Sequence, residues 1–497
     1  LDGRKHDLYT NVCRNYISQG FNYLESFSKD ILPVFKYKVE DTEITKAICM
    51  QYGKNTVEVY YKIRNGNSKA KLELAPIFNF RDFHSMNTNH NFEITQEVKS
   101  NKIKLVIDKN ISHPVYMKTS EGNYTQHINN IFYNMFYIEE EKRGFYPEEN
   151  HIVSGVFEIN IEPNEEKDIS IICSMEENID ELDAKALINN EIVRINTIYN
   201  ESLLIDNGKE NKTKEEMEKD ELVRAYLLAA DNFVVYRPTF GLHTLIAGYP
   251  WFLDWGRDTL ISFEGILLKT KRFDVARKVL LTFTKDIKNG LVPNGYSEND
   301  DKPLYNSVDS SLLLFEQIKK YINYTGDYTF VREKMYDKLK KIITNYVNGI
   351  DLCDNNIFLD EDYLISAGTI STQNTWMDAK IGDYVVTPRN GKQVEINALW
   401  YNALKIMVEL GKKFEENEEL VSEYKELAKN CRKSFNEKFY NPKTKCLFDV
   451  LGDPKIRPNQ LYALSLSYQV IDASSEIAKQ ILNTVTKKLL NNYGLKT

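Results

Sequence analysis

The 497-residue chain has four tryptophans, and all four fall in two polar-rich stretches. "GYPWFLDWGRDT" (248–259) places Trp251 and Trp255 beside Asp254, Arg257 and Asp258. "TWMDAKIGDYVVTPRNGKQVEINALW" (375–400) places Trp376 and Trp400 with Asp378, Asp383, Arg389 and Glu395. This set of side chains suits a sugar. Aromatic rings cover the apolar face of a pyranose, and charged forks hold its equatorial hydroxyls. Hydrolysis of a glycosidic bond needs two carboxyl groups, one to protonate the leaving oxygen and one to activate water or attack.

Each residue also has a plain structural reading. Trp251 and Trp255 can be core aromatics beside a turn at Pro250, and Asp258 a first-turn acid opening the helix "RDTLISF". Asp378 can cap a turn, and Arg389 with Glu395 can be a structural ion pair. What favours chemistry is the joint placement of the two stretches, at helix starts or between helices, where function concentrates. Other chemistries lack their motifs. Seven histidines form no H-E-x-x-H pair, and His243 stands alone. No G-x-S-x-G, P-loop or G-x-G-x-x-G occurs, so neither a metal nor a cofactor is expected.

The elements that must position these residues change period halfway. "NTVEVYYKIRN", "NKIKLVIDKN" and "GVFEINIEPN" alternate with a period of two, which predicts antiparallel strands. In the first, Val57, Val59, Tyr61 and Ile63 share one face, opposite Glu58, Lys62 and Arg64. Residues 1–175 are read as a β-sandwich. A helical, charged linker is expected over 176–215, including most of "DNGKENKTKEEMEKDE". Amphipathic stretches then recur near 216–236, 257–269, 273–288, 308–324, 328–349, 393–412, 417–438, 459–470 and 475–490. No strand–helix alternation appears, so an array of antiparallel helix pairs is predicted over 216–497.

Bulk properties bound the partners. A chain this long exceeds one core. A formal charge of −8 gives little affinity for nucleic acid or an anionic membrane, while a neutral substrate fits. No apolar run is long enough to span a bilayer. Six scattered cysteines without a C-x-x-C pair read as reduced thiols of a cytoplasmic protein.

"AGYPWFLDWGRDTLISFEGILL", "VPNGYSENDDKPLYNSVDSSLLLFEQIKKYINYTGD" and "TWMDAKIGDYVVTPRNGKQVEINALWYNALKI" resemble the bacterial and archaeal glycogen debranching enzymes, specifically their amylo-α-1,6-glucosidase module. The resemblance spans roughly 215–497, and "YLESF" and "NFRDFH" resemble that family's N-terminal domain. Leu253 departs from the pattern, where Gly is expected.

The resemblance implies an (α/α)6 toroid of the glucoamylase type behind the sandwich. It implies removal of single α-1,6-linked glucose stubs from glycogen or limit dextrin, with inversion. It suggests Asp378 as general acid, Arg257 and Asp258 as the pair gripping the terminal glucose, and Trp255 and Trp376 as its walls. Asp309, Arg389 and Glu395 match motif positions expected to line the pocket, with Glu395 a weaker candidate for a base. A water-poor aromatic wall beside Asp378 is expected to keep it protonated. Segments 250–258, 294–309 and 375–395 are expected to converge.

The chain starts at "LDGRKHDLYT", without Met, and stops at "NNYGLKT". Both ends are therefore expected to be incomplete, with the general base beyond Thr497. No (β/α)8 pattern supplies a glucanotransferase. Two alternatives share the residues: another (α/α)6 α-glucosidase, glucoamylase- or trehalase-like, and a catalytically silent α-glucan-binding protein.

Overall fold

A computed structural model describes residues 1, 3–128, 130–205, 211–249, 251–298 and 300–497. Residues 206–210 of the expected charged link and Pro250 lie outside them. The chain forms two compact units, 1–200 with 211–228, and 201–210 with 229–497.

The first unit is antiparallel throughout. Eight strands pair in the order Leu24–Lys29, Pro33–Val39, Thr42–Met50, Thr56–Arg64, Glu166–Ser174, Val115–Thr119, Lys102–Ile107, Ile94–Lys99. Alternation works as the sequence pattern requires: Ile44, Ile63, Ile103, Leu105, Met117 and Ile169 point to one side. There they bury Phe157, Ile159 and Leu74 of a three-stranded sheet, Asn123–Gln126, Gly155–Ile161 and Ala70–Leu74. Full burial of each such side chain stabilises by about 1.5–3 kcal/mol. A five-stranded sheet carries a smaller core around Ile131 and Ile152.

The polar side of Thr56–Arg64 differs from expectation at one residue. Lys62 and Arg64 are exposed, but Glu58 is fully buried. Helix α1 (Ala184–Glu201), part of the expected connector, brings Glu191 and Arg194 to that face, and Cys49 lies alongside. Burial pushes the Glu58 carboxyl up to about 7.

Helix α2 spans Lys214–Asp231. The second unit is built of helix pairs. Four helices run α3 (Gly256–Phe263, extended by a π turn to Leu268), α5 (Ser310–Thr325), α7 (Val394–Lys413) and α9 (Tyr462–Ser465). Each is followed by a partner: α4 (Phe273–Thr284), α6 (Tyr336–Asn348), α8 (Glu418–Lys438) and α10 (Glu476–Leu489).

The two sets differ in burial. α5 and α7 are buried on nearly all sides, whereas α8 and α10 bury a single stripe, such as Ala478, Ile481, Val485 and Leu489. Helices apolar all round belong inside, and striped ones outside. α3 packs on α5, α5 on α7 and α7 on α9, giving an inner row backed by an outer one. Trp400 of α7 is fully buried and stacks on Tyr346 of α6, with ring centroids 6.1 Å apart.

The predicted helix over 459–470 is broken. It is a 3-10 turn (Pro458–Leu461) and α9, after which the chain extends at Leu466. Glu316 of α5 accepts from the backbone N–H of Ser467 at 3.2 Å, and Asn402 of α7 accepts from that of Tyr468 at 2.9 Å. Donors that would have continued the helix are captured by side chains of the inner row.

Candidate active site

Because partners alternate direction, the inner helices all start at one end of the unit. The connections there are long: 246–255, 285–309, 349–393 and 439–461. At the other end, turns such as 326–327 and 414–417 are short. The site is assembled from the long connections and the first turns they feed.

At the start of α3, Gly256 donates its N–H to the Asn294 carbonyl at 2.7 Å, and a Cβ there would lie 2.4 Å from the Pro293 oxygen. Only glycine permits this approach, which also pairs Trp255 with Gly295. The contact fixes the first turn, and Arg257, buried on it, reaches across the end of the unit. Its Nε donates to Asp309 Oδ2 at 2.6 Å, and its Nη1 to Asp378 Oδ2 at 3.4 Å. Asp309, buried at the start of α5, also accepts from Ser307 at 2.6 Å. Arg257 Nη2 is buried with no partner among the described residues. A donor left in that state costs about 1–3 kcal/mol, which a bound hydroxyl would relieve.

Asp258 is exposed on the first turn of α3. Burial raises its carboxyl, Arg257 opposes this, and Asp378 and Asp309 add to the rise. Asp378 differs from the enclosed acid expected. Its side chain is 48% exposed and lies beside a guanidinium rather than against an aromatic wall. The reason is its loop: Trp376, two residues earlier, turns its indole N–H to Asn459 Oδ1 at 2.7 Å.

Arg389 and Glu395 also depart from expectation. Both are almost wholly buried, and they bind each other through two hydrogen bonds. Arg389 Nε reaches Asp449 Oδ2 at 2.8 Å, Nη1 donates also to Thr375 Oγ1 at 3.2 Å, and Nη2 to Asp449 Oδ1 at 3.1 Å. With every guanidinium nitrogen so engaged, Arg389 has little left to offer a sugar; the pair is structural. Burial pushes Glu395 upward and Arg389 opposes it.

This cluster nonetheless positions the site. Arg457 Nη1 joins Asp449 at 2.6 Å, and Asn459 Nδ2 donates to Asp449 Oδ1 at 2.7 Å while its oxygen holds Trp376. Asp449, Arg457, Asn459 and Tyr462 were not singled out from the sequence. Arg457, Asn459 and Tyr462 fall in "IRPNQLY", where Pro458 opens the 3-10 turn that leads into α9. Tyr462 is pushed up to about 12 by burial, with Asp309 and Glu395 contributing and Arg257 opposing, which places it among the site charges.

The arrangement brings together Arg257, Asp309 and Asp378, with Asp258 next to Arg257 in the chain, while half-buried Trp255 pairs with Gly295 and half-buried Trp376 with Asn459. Among the described residues no cluster of His, Cys, Asp or Glu could hold a metal, and no helix is long and apolar enough to cross a membrane.

Comparison with known proteins bears on this geometry. A bacterial glucoamylase solved in complex with acarbose shares the fold over 96% of this chain and 71% of its own, with a TM-score of 0.56 and 14% identity. A putative kojibiose phosphorylase from the human microbiome aligns over 88% of this chain and 60% of its own, with a TM-score of 0.50 and 12% identity. The fold is thus the (α/α)6 toroid of these enzymes, accompanied by an antiparallel sheet-rich domain. The glycogen debranching enzyme of Saccharomyces cerevisiae is 26% identical over 35% of this chain, which spans 15% of that protein's length. Residues 1–168 match the family "glycogen debranching enzyme N terminal". Residues 228–497, more than half of the chain, match the amylo-alpha-1,6-glucosidase family, and the protein belongs to it.

Proposed function

We propose that this protein is a glycoside hydrolase that removes single α-1,6-linked glucose stubs from glycogen or limit dextrin with inversion, releasing glucose. The observation that carries the reading is Arg257, which links Asp309 at 2.6 Å and Asp378 at 3.4 Å while one of its nitrogens is left unpartnered. A guanidinium in that position holds a terminal sugar by its hydroxyls, and Asp378 stands beside the sugar it holds.

In this reading Asp378 donates the proton to the glycosidic oxygen, while a water on the opposite face of the sugar loses its proton to a second carboxylate and attacks the anomeric carbon. The exposure of Asp378 leaves the oxygen a path to it, and the arriving glucan displaces the solvent there. Arg257 and Asp258 grip the non-reducing glucose, Asp309 orients Arg257, and Trp255 and Trp376 flank the ring. Arg389 and Glu395 support the loop that carries Trp376 and Asp378. Six unpaired cysteines support an intracellular workplace.

The test compares glucose release from α-1,6-stubbed limit dextrin, linear maltodextrin and trehalose. Preference for limit dextrin by at least about tenfold in kcat/KM supports the reading. Equal or greater release from maltodextrin or trehalose would move the protein to a glucoamylase- or trehalase-like activity. Binding without any release would make it a glucan-binding protein.

A further inference from the structure

Between α7 of the inner row and α8 of the outer one lies an open surface cavity of about 480 Å³ that the proposed reaction does not use. Its charge is one-sided. Lys405 comes from α7, and Lys425, Lys429, Arg432 and Lys433 from successive turns of α8, with no carboxylate in the lining. Of these cations only Lys429 meets a carboxylate among the described residues, Glu426 at 3.4 Å. The chain as a whole carries −8, so this concentration runs against its general charge.

The floor is built and partly apolar. Tyr401 is buried, and Val408 and Ala428 flank it. Lys405 lies over the Tyr468 ring at 5.5 Å, which holds its stem. Arg432 Nε donates to the Val470 carbonyl at 3.2 Å and Asn436 Nδ2 to the same oxygen at 3.0 Å, which holds those two side chains in place.

From this geometry we infer that the cavity between α7 and α8 is a binding site for a small phosphate monoester, of the size of a sugar phosphate or a nucleoside monophosphate. Five cations lining one cavity without a carboxylate among them favour a di-anion. The volume lies within the range of small-molecule sites, and Val408, Ala428 and the edge of Tyr401 give it a partly apolar floor. Nucleic acid fits less well, because the positive charge is confined to one cavity on an acidic chain instead of forming an extended track. The inference is independent of the glycosidase reading.

The probes are glucose 6-phosphate, adenosine 5′-monophosphate and inorganic phosphate, titrated calorimetrically into the intact protein at low salt, with glucose as the uncharged control. Saturable binding of a phosphate ester at or below about 1 mM is expected, with the preferred arm identifying the organic part. The variant Lys425→Glu/Lys433→Glu, at two exposed positions, should weaken it at least about tenfold with Tm and glucose release unchanged. Lys425→Arg/Lys433→Arg should retain it. No saturable binding by any phosphate up to about 10 mM would overturn the proposal. So would binding that the charge-reversal variant leaves intact, or tighter binding of a single-stranded oligonucleotide than of any monoester.

Discussion

Arg257 and Asp378, separated by 121 residues of chain, meet at 3.4 Å between Nη1 and Oδ2. One belongs to a helix start and the other to a long loop, so their meeting depends on the parallel run of the inner helices. The proposed division of labour between them can be separated by substitution.

Asp378→Asn keeps the shape of the side chain and removes its proton. Kcat for glucose release from limit dextrin should fall at least about 10²-fold, with KM within about threefold. Steady-state kinetics at neutral pH decide the matter, and retention of a third or more of wild-type turnover would exclude Asp378 as the acid.

Arg257→Ala strips Asp309 of its buried partner. Breaking such a pair costs about 3–5 kcal/mol, so thermal melting should drop markedly. Adding Asp309→Asn should restore much of the stability, because the orphaned charge is gone, yet leave glucose release lost. Recovery of activity along with stability would show that Arg257 is a scaffold residue only.

For Glu395→Gln the structure predicts a stability defect, not a binding defect. Arg389 loses a charged acceptor, and unfolding should become easier by about 2–4 kcal/mol. KM of the folded fraction for limit dextrin should stay within about threefold. A KM raised about tenfold with melting unchanged would return Glu395 to the pocket wall.

Glu58 gives a pH signature. Its carboxyl is at about 7 in the folded chain against an ordinary 4.5. The folded state therefore holds the proton more tightly, and stability must fall as pH rises. The contribution is complete below about 4.5 and is lost as pH passes through about 7, to a limit of roughly 3 kcal/mol. Glu58→Gln does not titrate, so its Tm relative to wild type should rise between pH 5 and pH 8. A difference that stays flat over that range would refute the assignment.

How far the sequence could be read depended on what each residue's neighbours were. The outer helices α8 and α10 show their stripe directly, since only one face is buried. The break after α9 was hidden, because the groups that capture its backbone, Glu316 and Asn402, lie on other helices. Trp400 shares the stretch that carries Asp378 and Glu395. Five helical residues turn the chain about 140° beyond a full revolution, so Glu395 and Trp400 point to different sides and Trp400 enters the core. Asp449 and Asn459 carry no distinctive spacing. Their role follows only from topology, which brings a fourth helix start to the same end as Arg257, Asp309 and Glu395. Glu58 was placed correctly on its strand face, but the pattern of one strand does not say that a helix covers that face.

The burial of Trp400 has an optical consequence. With the indole fully enclosed and its N–H unpartnered, its emission should lie to the blue and be insensitive to aqueous quenchers. Trp376, hydrogen-bonded to Asn459 and half-buried, is under the proposed function a wall of the sugar subsite, whose filling would change its surroundings. The four tryptophans thus fall in separate environments, Trp400 enclosed and Trp251, Trp255 and Trp376 partly exposed. A glucan should perturb the quenchable component at constant blue emission, while denaturant should shift both, so occupancy and unfolding can be followed in one cuvette without a label.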